Sequence, residues 1–480
     1  MAKATTSSFI TEIPLKAGSK ELAILKKRFW SAKQQYNALL GEALGRLRRM
    51  REDTRYGKAR ELYKQKGSKT QAKALFKQLA EEYGYREYDL YSYCKQWNKK
   101  GSHLSIGARI SQKVAKRVFS AVEEYRIGKR GKPRFKGIRG LSSIEDNSID
   151  ANLRLKDRSI YYLGLKLPLL YDIGDPIHYH GLNSRIKYVR LVRRNFNGRI
   201  RYFAQLICEG KPLIKPQHKA KKGEVGLDIG PSTIAIVSEQ KKYAKIQVFA
   251  DEIKVHKKKR KKLERKIARR LRMGNPEAYE ENKWIKKDKH WHRKQGKSIK
   301  GKRASNRSVS LQKTFDQLAD MARRQAAHRK TQHGRLVNEI LQVGDHIKTE
   351  KLSYKAFQRR FGSSVSLRAP GMFVEKLRRK AENAGGKVED INTYRTKLSQ
   401  ACHCGRYEKK GLNARWKVCP CGVEEQRDLF SAYLACFVEK DTLMVDQAHK
   451  AWSGMDIVLR TAMSELKRSI RGPVPPSLGL

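Results

Sequence analysis

The sequence predicts a multidomain α+β protein. Three observations predict it. Apolar residues recur at helical spacing over residues 21–125. Apolar and polar residues alternate, with a hairpin signal, after about residue 126. From Gly223 onward, continuous apolar strands are interleaved with amphipathic helices. A length of 480 residues suits about three domains.

The elements follow in order. Residues 7–16, SSFITEIPLK, read as one short strand. Along residues 21–125 one helical face carries Leu22, Leu25 and Phe29, then Tyr36, Leu39, Leu40, Ala43 and Leu47. Lys and Arg interleave there with Tyr85, Tyr88, Tyr91, Tyr93 and Trp97. That pattern is either a solvated basic face around an aromatic core, or a surface for stacking and phosphate contacts with nucleic acid. GKPRFKG, ending at Gly137, lies in a turn-rich basic segment. LRLKDRSIYYLGLKLPLLY and IKYVRLVRRNFNGRIRYFAQLICEG then alternate, with Asn197-Gly198 as a tight hairpin turn. KPLIKPQHKAKKG reads as a linker. EVGLDIGPSTIAIVSE gives a buried strand, a Gly-Pro turn and a second strand. Val255 to Arg272 is a basic helix, and Leu311, Phe315, Leu318 and Ala322 mark a long one. DHIKTEKLS is a short strand ending near Glu350. Pro370 opens a helix with Phe373, Leu377 and Ala381 inward, closed by Gly385-Gly386 and followed by the strand VEDIN. The tail GPVPPSLGL is expected to be disordered.

Composition narrows the class of partner. There are 107 Lys+Arg against 47 Asp+Glu, a net charge of +60. So much uncompensated charge repels itself unless a polyanion binds, and a phosphate backbone is the expected one. An anionic membrane fits less well. No run of about 18 apolar residues exists, and the start, MAKATTSSFITEIPLKAG, lacks a signal-peptide core. The expected location is the cytoplasm, nucleoid-associated in a prokaryote. Of seven cysteines, Cys94, Cys208 and Cys436 stand alone in apolar contexts and read as core residues.

Two constellations carry chemistry. Asp228 sits inside the apolar strand Val225 to Gly230, where a carboxylate is costly unless it is paired or binds a metal. The bland alternative is a turn-capping Asp. Gly230 permits a tight turn and close approach of a phosphate backbone. Glu350 closes a second strand, and Asp428 precedes the helical run LFSAYLACFV, where an ordinary helix N-cap is the alternative. Brought together, the three would supply oxygen ligands for one or two Mg²⁺, and two ions ~4 Å apart assist phosphodiester cleavage. Cys402, Cys404, Cys419 and Cys421 form two Cys-x-Cys-Gly turns suited to a closed, structural Zn²⁺ site, with His403 able to replace one thiolate. Four closed ligands leave no open position for catalytic water. A third feature is a basic block on one helix: Lys257, Lys258, Lys259, Arg260, Lys261, Lys262, Arg265, Lys266, Arg269 and Arg270. It is either a solvated face or a grip on nucleic-acid phosphates. GKSIKGKR, Gly296 to Arg303, nearly spells a phosphate-binding loop. It lacks the terminal Ser/Thr and a preceding apolar strand, so nucleotide hydrolysis is set aside.

These residues resemble a known family. GLDIGPSTIAIV is similar to the first RuvC motif of TnpB, the transposon-encoded RNA-guided nuclease, and of the compact type V CRISPR effectors. KTEKLS, with Glu350, resembles the second motif. FVEKLRRKAENAGGKVEDINTYRTKLSQACHCG, including Thr396, Ser399 and Gln400, resembles the segment leading into the family's zinc ribbon. WKVCPCGVEEQRDLFSAYLA resembles the ribbon's second half joined to the third motif, and GKPRFKG resembles an N-terminal signature. Phe430 stands where the family usually carries Asn, and Gln426 where it often has Asp. No HNH-type second nuclease motif is apparent.

The resemblance implies a bilobed fold. A β-barrel wedge domain (1–20 and 126–222) would hold an inserted helical recognition domain (21–125). An RNase H-like (RuvC) α/β domain (223–398 and 424–445) would hold a zinc ribbon that binds target nucleic acid (399–423). A C-terminal helix and disordered tail (446–480) would follow. It also implies a guide RNA, target double-stranded DNA, a short motif read beside the target, and Mg²⁺-dependent cutting in a single site by Asp228, Glu350 and Asp428. The competing expectations are a guided DNA-binding repressor, a structural RNA-binding protein and an RNA-independent resolvase. The carboxylate triad argues against the first two, and the large basic N-terminal half against the third.

Overall fold

The computed structural model describes residues 6–100, 105–137, 140–148, 151–172, 174–250, 256–287, 290–302, 304–409, 411, 414–469 and 478–479. It is a mixed α/β multidomain protein whose chain divides into two compact units, Met1–Leu213 and Ile214–Leu480. The division falls upstream of the expected boundary after residue 222. The reason is local: Lys221 N–H donates to the Leu341 carbonyl, and Gln342 donates to that of Lys219, so the basic linker packs on the second unit. Among the described residues, no helix is long and apolar enough to cross a membrane.

The first unit runs β1 (Ser8–Pro14), α1 (Ser19–Glu52), α2 (Thr54–Lys64), α3 (Lys69–Glu82), α4 (Glu87–Lys100), α5 (Ala108–Arg126), β2 (Ser143–Glu145), β3 (Leu153–Lys156), β4 (Ser159–Tyr162), β5 (Leu165–Pro168), α6 (Pro176–Asn183), β6 (Ile186–Phe196) and β7 (Arg199–Glu209). α1 forms because Leu25, Phe29, Ala32, Tyr36, Leu39, Leu40, Ala43 and Leu47 recur on one face, and all are buried. The β6–β7 hairpin turns at Asn197 (φ 52°) and Gly198 (φ 92°), the two positive φ values that a tight hairpin turn of this kind demands. β1 pairs antiparallel with β7, so residues on either side of the helical segment share one sheet, in the order β1-β7-β6-β2. β3-β4-β5 is a second sheet, joined to the end of β1 by a bridge between Leu15 and Leu169. Buried Arg28 ties α1 to it: its guanidinium donates to the Tyr162 and Leu163 carbonyls at 2.7 and 2.6 Å and lies over the Tyr162 ring. The tyrosines of α4 and the loop before it divide between roles. Tyr85 is core, whereas Tyr88 is 77% exposed.

The second unit runs β8 (Glu224–Ile229), β9 (Thr233–Ser238), β10 (Tyr243–Val248), α7 (Lys257–Gly274), β11 (Lys283–Lys287), β12 (His290–Lys294), α8 (Val309–Val343), β13 (His346–Glu350), α9 (Tyr354–Arg368), α10 (Pro370–Asn383), β14 (Lys387–Ile391), α11 (Thr393–Thr396), β15 (Trp416–Val418), β16 (Glu424–Gln426), α12 (Arg427–Cys436), β17 (Val438–Glu439), β18 (Thr442–Leu443) and α13 (Val445–Ser469). Its central sheet has the order β10-β9-β8-β13-β14. The first three strands are antiparallel, and β13 runs parallel to both β8 and β14. Both faces are covered, which is why β9 is buried along its whole length and β8 is apolar apart from Glu224 and Asp228. Val225, Leu227, Ile229, Ile234, Ile236 and Ile347 pack with Leu336 and Ile340 of α8 and Phe373 and Leu377 of α10. Ala235, Val237 and Ile246 pack with Leu429, Ala432 and Tyr433 of α12 and Met455 and Leu459 of α13.

The C-terminal tail is a correction. Most of it, with Val255, lies outside the described residues, but Leu478 is fully buried in the α12–α13 core. The Trp416 indole donates to the Gly479 carbonyl at 3.1 Å. A lone Leu in a Pro- and Gly-rich tail gives no periodic signal, so only packing reveals it.

Candidate active site and metal centre

Strand alternation aims the carboxylates. On β8, Val225, Leu227 and Ile229 face α8 and α10, so Gly226 and Asp228 face α12. On β13, Ile347 faces α8, so Lys348 and Glu350 face α12; the Lys348 ammonium indeed donates to the Cys436 carbonyl at 2.9 Å. β8 and β13 are in register, with Leu227 opposite Thr349, which sets Asp228 and Glu350 at the same end of neighbouring strands. Asp428 enters from the first turn of α12, the helix that packs on β8 and β9.

Asp428 is not the helix cap. Gln426 is: its side chain accepts from the Leu429 N–H at 2.9 Å. The residue that departs from the family pattern therefore holds the helix start, and the Asp428 carboxylate is left for other work. Its Oδ2 accepts from the Thr233 hydroxyl at 3.1 Å, and Arg427 lies 3.7 Å from its Oδ1. Phe430, the other departure, is buried against Tyr433 and Trp452 and packs in the core. Burial raises the Asp228 carboxyl well above its usual range, and the neighbouring Asp428 and Glu350 carboxylates add to it, while Arg427 and Arg415 oppose. Burial pushes Glu350 up to about 7. Mutual repulsion and desolvation mark a cluster of acids suited to a divalent cation.

The sequence reading missed Thr233, Arg415 and Arg427. Thr233 was legible only as part of the turn after Asp228, and the two arginines were lost in a sequence dense with basic residues. Gly226 was missed as well. A Cβ there would sit 2.0 Å from the Ala432 carbonyl oxygen, so α12 reaches β8 only across a glycine. Gly230 has a milder role: its N–H closes the β8–β9 turn on the Thr233 carbonyl.

The cysteines form a compact group. The four sulfurs lie within 4.8 Å of one another, with Cys402–Cys421 at 3.5 Å and Cys404–Cys419 at 3.7 Å. Sulfurs around a tetrahedral Zn²⁺ would be about 3.8 Å apart, given Zn–S bonds of ~2.3 Å. The two turns repeat one hydrogen-bond pattern. Cys402 N–H donates to Arg406 and Gly405 N–H to Cys402; Cys419 N–H donates to Val423 and Gly422 N–H to Cys419. Both glycines have positive φ, +83° and +94°, which explains Cys-x-Cys-Gly at each turn. Burial raises the Cys402 thiol. Cys419 is lowered to about 7 despite burial, by the Cys421 amide and the other three thiols. The group could hold a metal ion. His403 is outside it, its Nε2 4.0 Å from the Cys421 sulfur and its ring stacked on Trp452. Among the described residues, these four cysteines are the group of His, Cys, Asp or Glu side chains close enough to hold a metal ion.

The basic helix α7 buries Ile267 and exposes Lys257 to Lys262, Arg265, Lys266 and Arg269. Two of the ten cations of the basic block are tied down. Arg270 donates to the Ser310 carbonyl and the Thr314 hydroxyl, both at 2.9 Å, joining α7 to α8. Arg260 pairs with Glu264 at 2.8 Å. In the first unit, a groove of about 1140 Å³ lined by Arg51, Arg60, Lys64, Lys73, Arg126 and Lys129 is a second basic surface, and the sequence reading did not single it out.

Two acids on neighbouring strands and a third on α12 thus converge, and a four-cysteine group that could hold a metal ion precedes that helix in the chain. Residues 371–434 match the family model described as Cas12f1-like, TNB domain. The match spans α10, β14, the four cysteines and Asp428, and it supports the resemblance to TnpB-like and compact type V CRISPR effectors. A comparison with curated proteins returns no significant match. Among solved structures, the chain is similar to a protein in a Cas12f1-sgRNA-target DNA complex, at 12% identity and a TM-score of 0.44, covering 89% of this chain and 98% of that one. It is also similar to a chain of a CRISPR-Cas12f ternary complex, at 12% identity and a TM-score of 0.26, covering 86% and 81%.

Proposed function

We propose that this chain is an RNA-guided DNA endonuclease. It binds a guide RNA, recognises a short motif beside the target and cleaves DNA by metal-assisted phosphodiester hydrolysis in one RuvC-type site. The observation that carries this reading is the placement of Asp228, Glu350 and Asp428 on β8, β13 and the α12 N-terminus, all on one face of the sheet. The strand order and directions are those of an RNase H-like sheet, which supports the assignment of residues 223–398 and 424–445 to the nuclease domain. The two joined antiparallel sheets of the first unit support a wedge-like barrel with residues 21–125 inserted as a recognition domain. The charge of +60 and the resemblance support guide RNA and target double-stranded DNA as partners.

In this reading Asp228, Glu350 and Asp428 would hold Mg²⁺, which would supply water activation and charge stabilisation at the leaving oxygen. Thr233 fixes the Asp428 rotamer through its hydrogen bond. Cys402, Cys404, Cys419 and Cys421 hold a structural Zn²⁺, and the β16 segment transmits that rigidity to α12. Exposed cations of α7 grip phosphates of the guide or of the guide–target duplex.

The test is substitution of each acid. Asp228→Ala, Glu350→Ala and Asp428→Ala should each lower cleavage by more than the ~100-fold that loss of an outer-shell partner costs. Binding of guide and target should stay near wild type, because phosphate contacts elsewhere hold the duplex. A single variant that cuts at the wild-type rate in Mg²⁺ is not missing a ligand. A wild type that binds its target and leaves it intact would be a guided repressor instead.

A further inference from the structure

Between α7 and α8 the chain makes an excursion that neither the proposed nuclease site nor the basic helix uses. β11 and β12 form an isolated two-stranded hairpin, with Lys283 opposite Lys294, Trp284 opposite Arg293, Ile285 opposite His292 and Lys286 opposite Trp291. Residues opposite each other, and residues two apart on one strand, share a face. One face therefore presents Trp284, Lys286, Trp291 and Arg293 together. The two indoles lie diagonally across the pair, about 7 to 8 Å apart by the geometry of such neighbours. Both are 65% exposed, and neither makes a ring contact or hydrogen bond among the described residues.

The hairpin stands on a tied base. Tyr279 bridges to Ser298, Glu280 N–H donates to Lys297, Ile299 N–H to Ala278, and Gly296 N–H to the Asn282 side chain at 3.1 Å. A Cβ at Gly296 would meet the Glu280 carbonyl oxygen at 1.8 Å, so this glycine lets the two strands of the base touch. That is the structural role of the glycine opening GKSIKGKR. The hairpin is tied at its base while its aromatic face is left open.

We propose that this face is a stacking platform for unpaired bases of the guide RNA, resting on the RNA-guided reading above. Residues 283–294 carry six Lys or Arg against one Asp, so a second copy of the hairpin is repelled and a polyanion is attracted. Indoles flanked by Lys286 and Arg293 combine the two elements that bind single strands: flat aromatic surface for bases and cations for the backbone. RNA is favoured over a displaced DNA strand because the guide is the partner present before any target is opened. Two exposed tryptophans need cover in that resting state.

The experiment uses the full chain purified with the RNA from its own locus. That RNA, transcribed and labelled, is titrated at several salt concentrations against wild type, Trp284→Ala/Trp291→Ala and Trp284→Phe/Trp291→Phe. Stacking contributes roughly tenfold in affinity per base. The alanine variant, which loses two indoles, should bind about 100-fold more weakly, and the phenylalanine variant should recover most of that affinity. The slope of log affinity against log salt should not change, because an indole is neutral. Lys286→Gln/Arg293→Gln should instead flatten it by roughly 0.7 for each phosphate no longer neutralised. Ultraviolet crosslinking should place RNA adducts on the 283–294 peptide. Unchanged affinity and no adduct in this peptide overturn the platform. Weakened binding of a single-stranded DNA oligonucleotide with RNA affinity intact overturns the choice of RNA. A wild type that binds no RNA overturns the proposed function itself, a result distinguishable from the other two.

Discussion

At the scale of single residues, His333 shows how burial sets a charge state. Its ring stacks on Phe249 at 5.3 Å and meets Phe373 edge-on, and Nε2 bonds the Arg368 carbonyl at 2.8 Å. Burial, helped by Lys376 and Arg329, lowers its pKa from 6.5 to about 4, against the pull of the Arg368 carbonyl. The folded ring is neutral while the unfolded one takes up a proton near pH 6.5. This contribution to stability is therefore complete above about pH 6.5 and is lost progressively as pH falls toward 4. Between pH 7 and pH 5 the wild type should lose about 2 kcal/mol more than His333→Gln, which keeps an N–H donor and cannot titrate. Urea unfolding of both proteins at the two pH values measures it, and equal losses would mean that His333 does not titrate in this window.

At the scale of elements, the approach of α12 to β8 is the packing on which the acid cluster depends. Gly226→Ala would place a methyl 2.0 Å from a helix carbonyl and 3.0 Å from the Cys436 sulfur. The helix must shift, at a cost of about 1–3 kcal/mol, and Asp428 shifts with it. Cleavage should fall sharply while guide-RNA binding holds. Gly230→Ala, whose methyl would meet only Thr233 atoms at 3.2 Å and beyond, should be much milder. Similar cleavage rates in the two variants would argue against the packing account. The ribbon is the other element with a direct test. Cys402→Ser or Cys419→Ser should release the metal and loosen the segment before Asp428, because binding and folding are coupled in small metal units. Elemental analysis should find about one zinc per chain in the wild type; finding none would remove the ribbon's structural metal from this account.

At the scale of the whole molecule, charge dominates. α7 places nine cations in solvent, and only Arg260 among them has an acidic partner among the described residues. Cations that meet phosphates carry no base information. Changing Lys258, Lys262 and Arg269 together to Gln should weaken RNA and target binding evenly across sequences. Each phosphate left without its cation should flatten the salt slope by roughly 0.7 to 0.9. Filter binding at several salt concentrations reads this directly. An unchanged slope for both ligands would return α7 to a solvated face.

Much of this was legible in the sequence. The α1 face, the Asn197-Gly198 turn, the α10 helix and the paired Cys-x-Cys-Gly turns are local patterns, and local backbone preference and burial period write them into neighbouring residues. The charge of +60 is likewise a property of composition alone. What tertiary structure decided lies between residues far apart in the chain. Thr233 bonds Asp428 across 195 positions. Gly226 admits α12, Gln426 rather than Asp428 caps that helix, Arg270 serves α8, and Leu478 closes a core. The β11–β12 hairpin escaped for a different reason: its indoles are exposed, so no burial period marks its strands. Each of these depends on which surfaces meet or stay open when the sheet is covered on both faces, and a linear pattern carries no record of that.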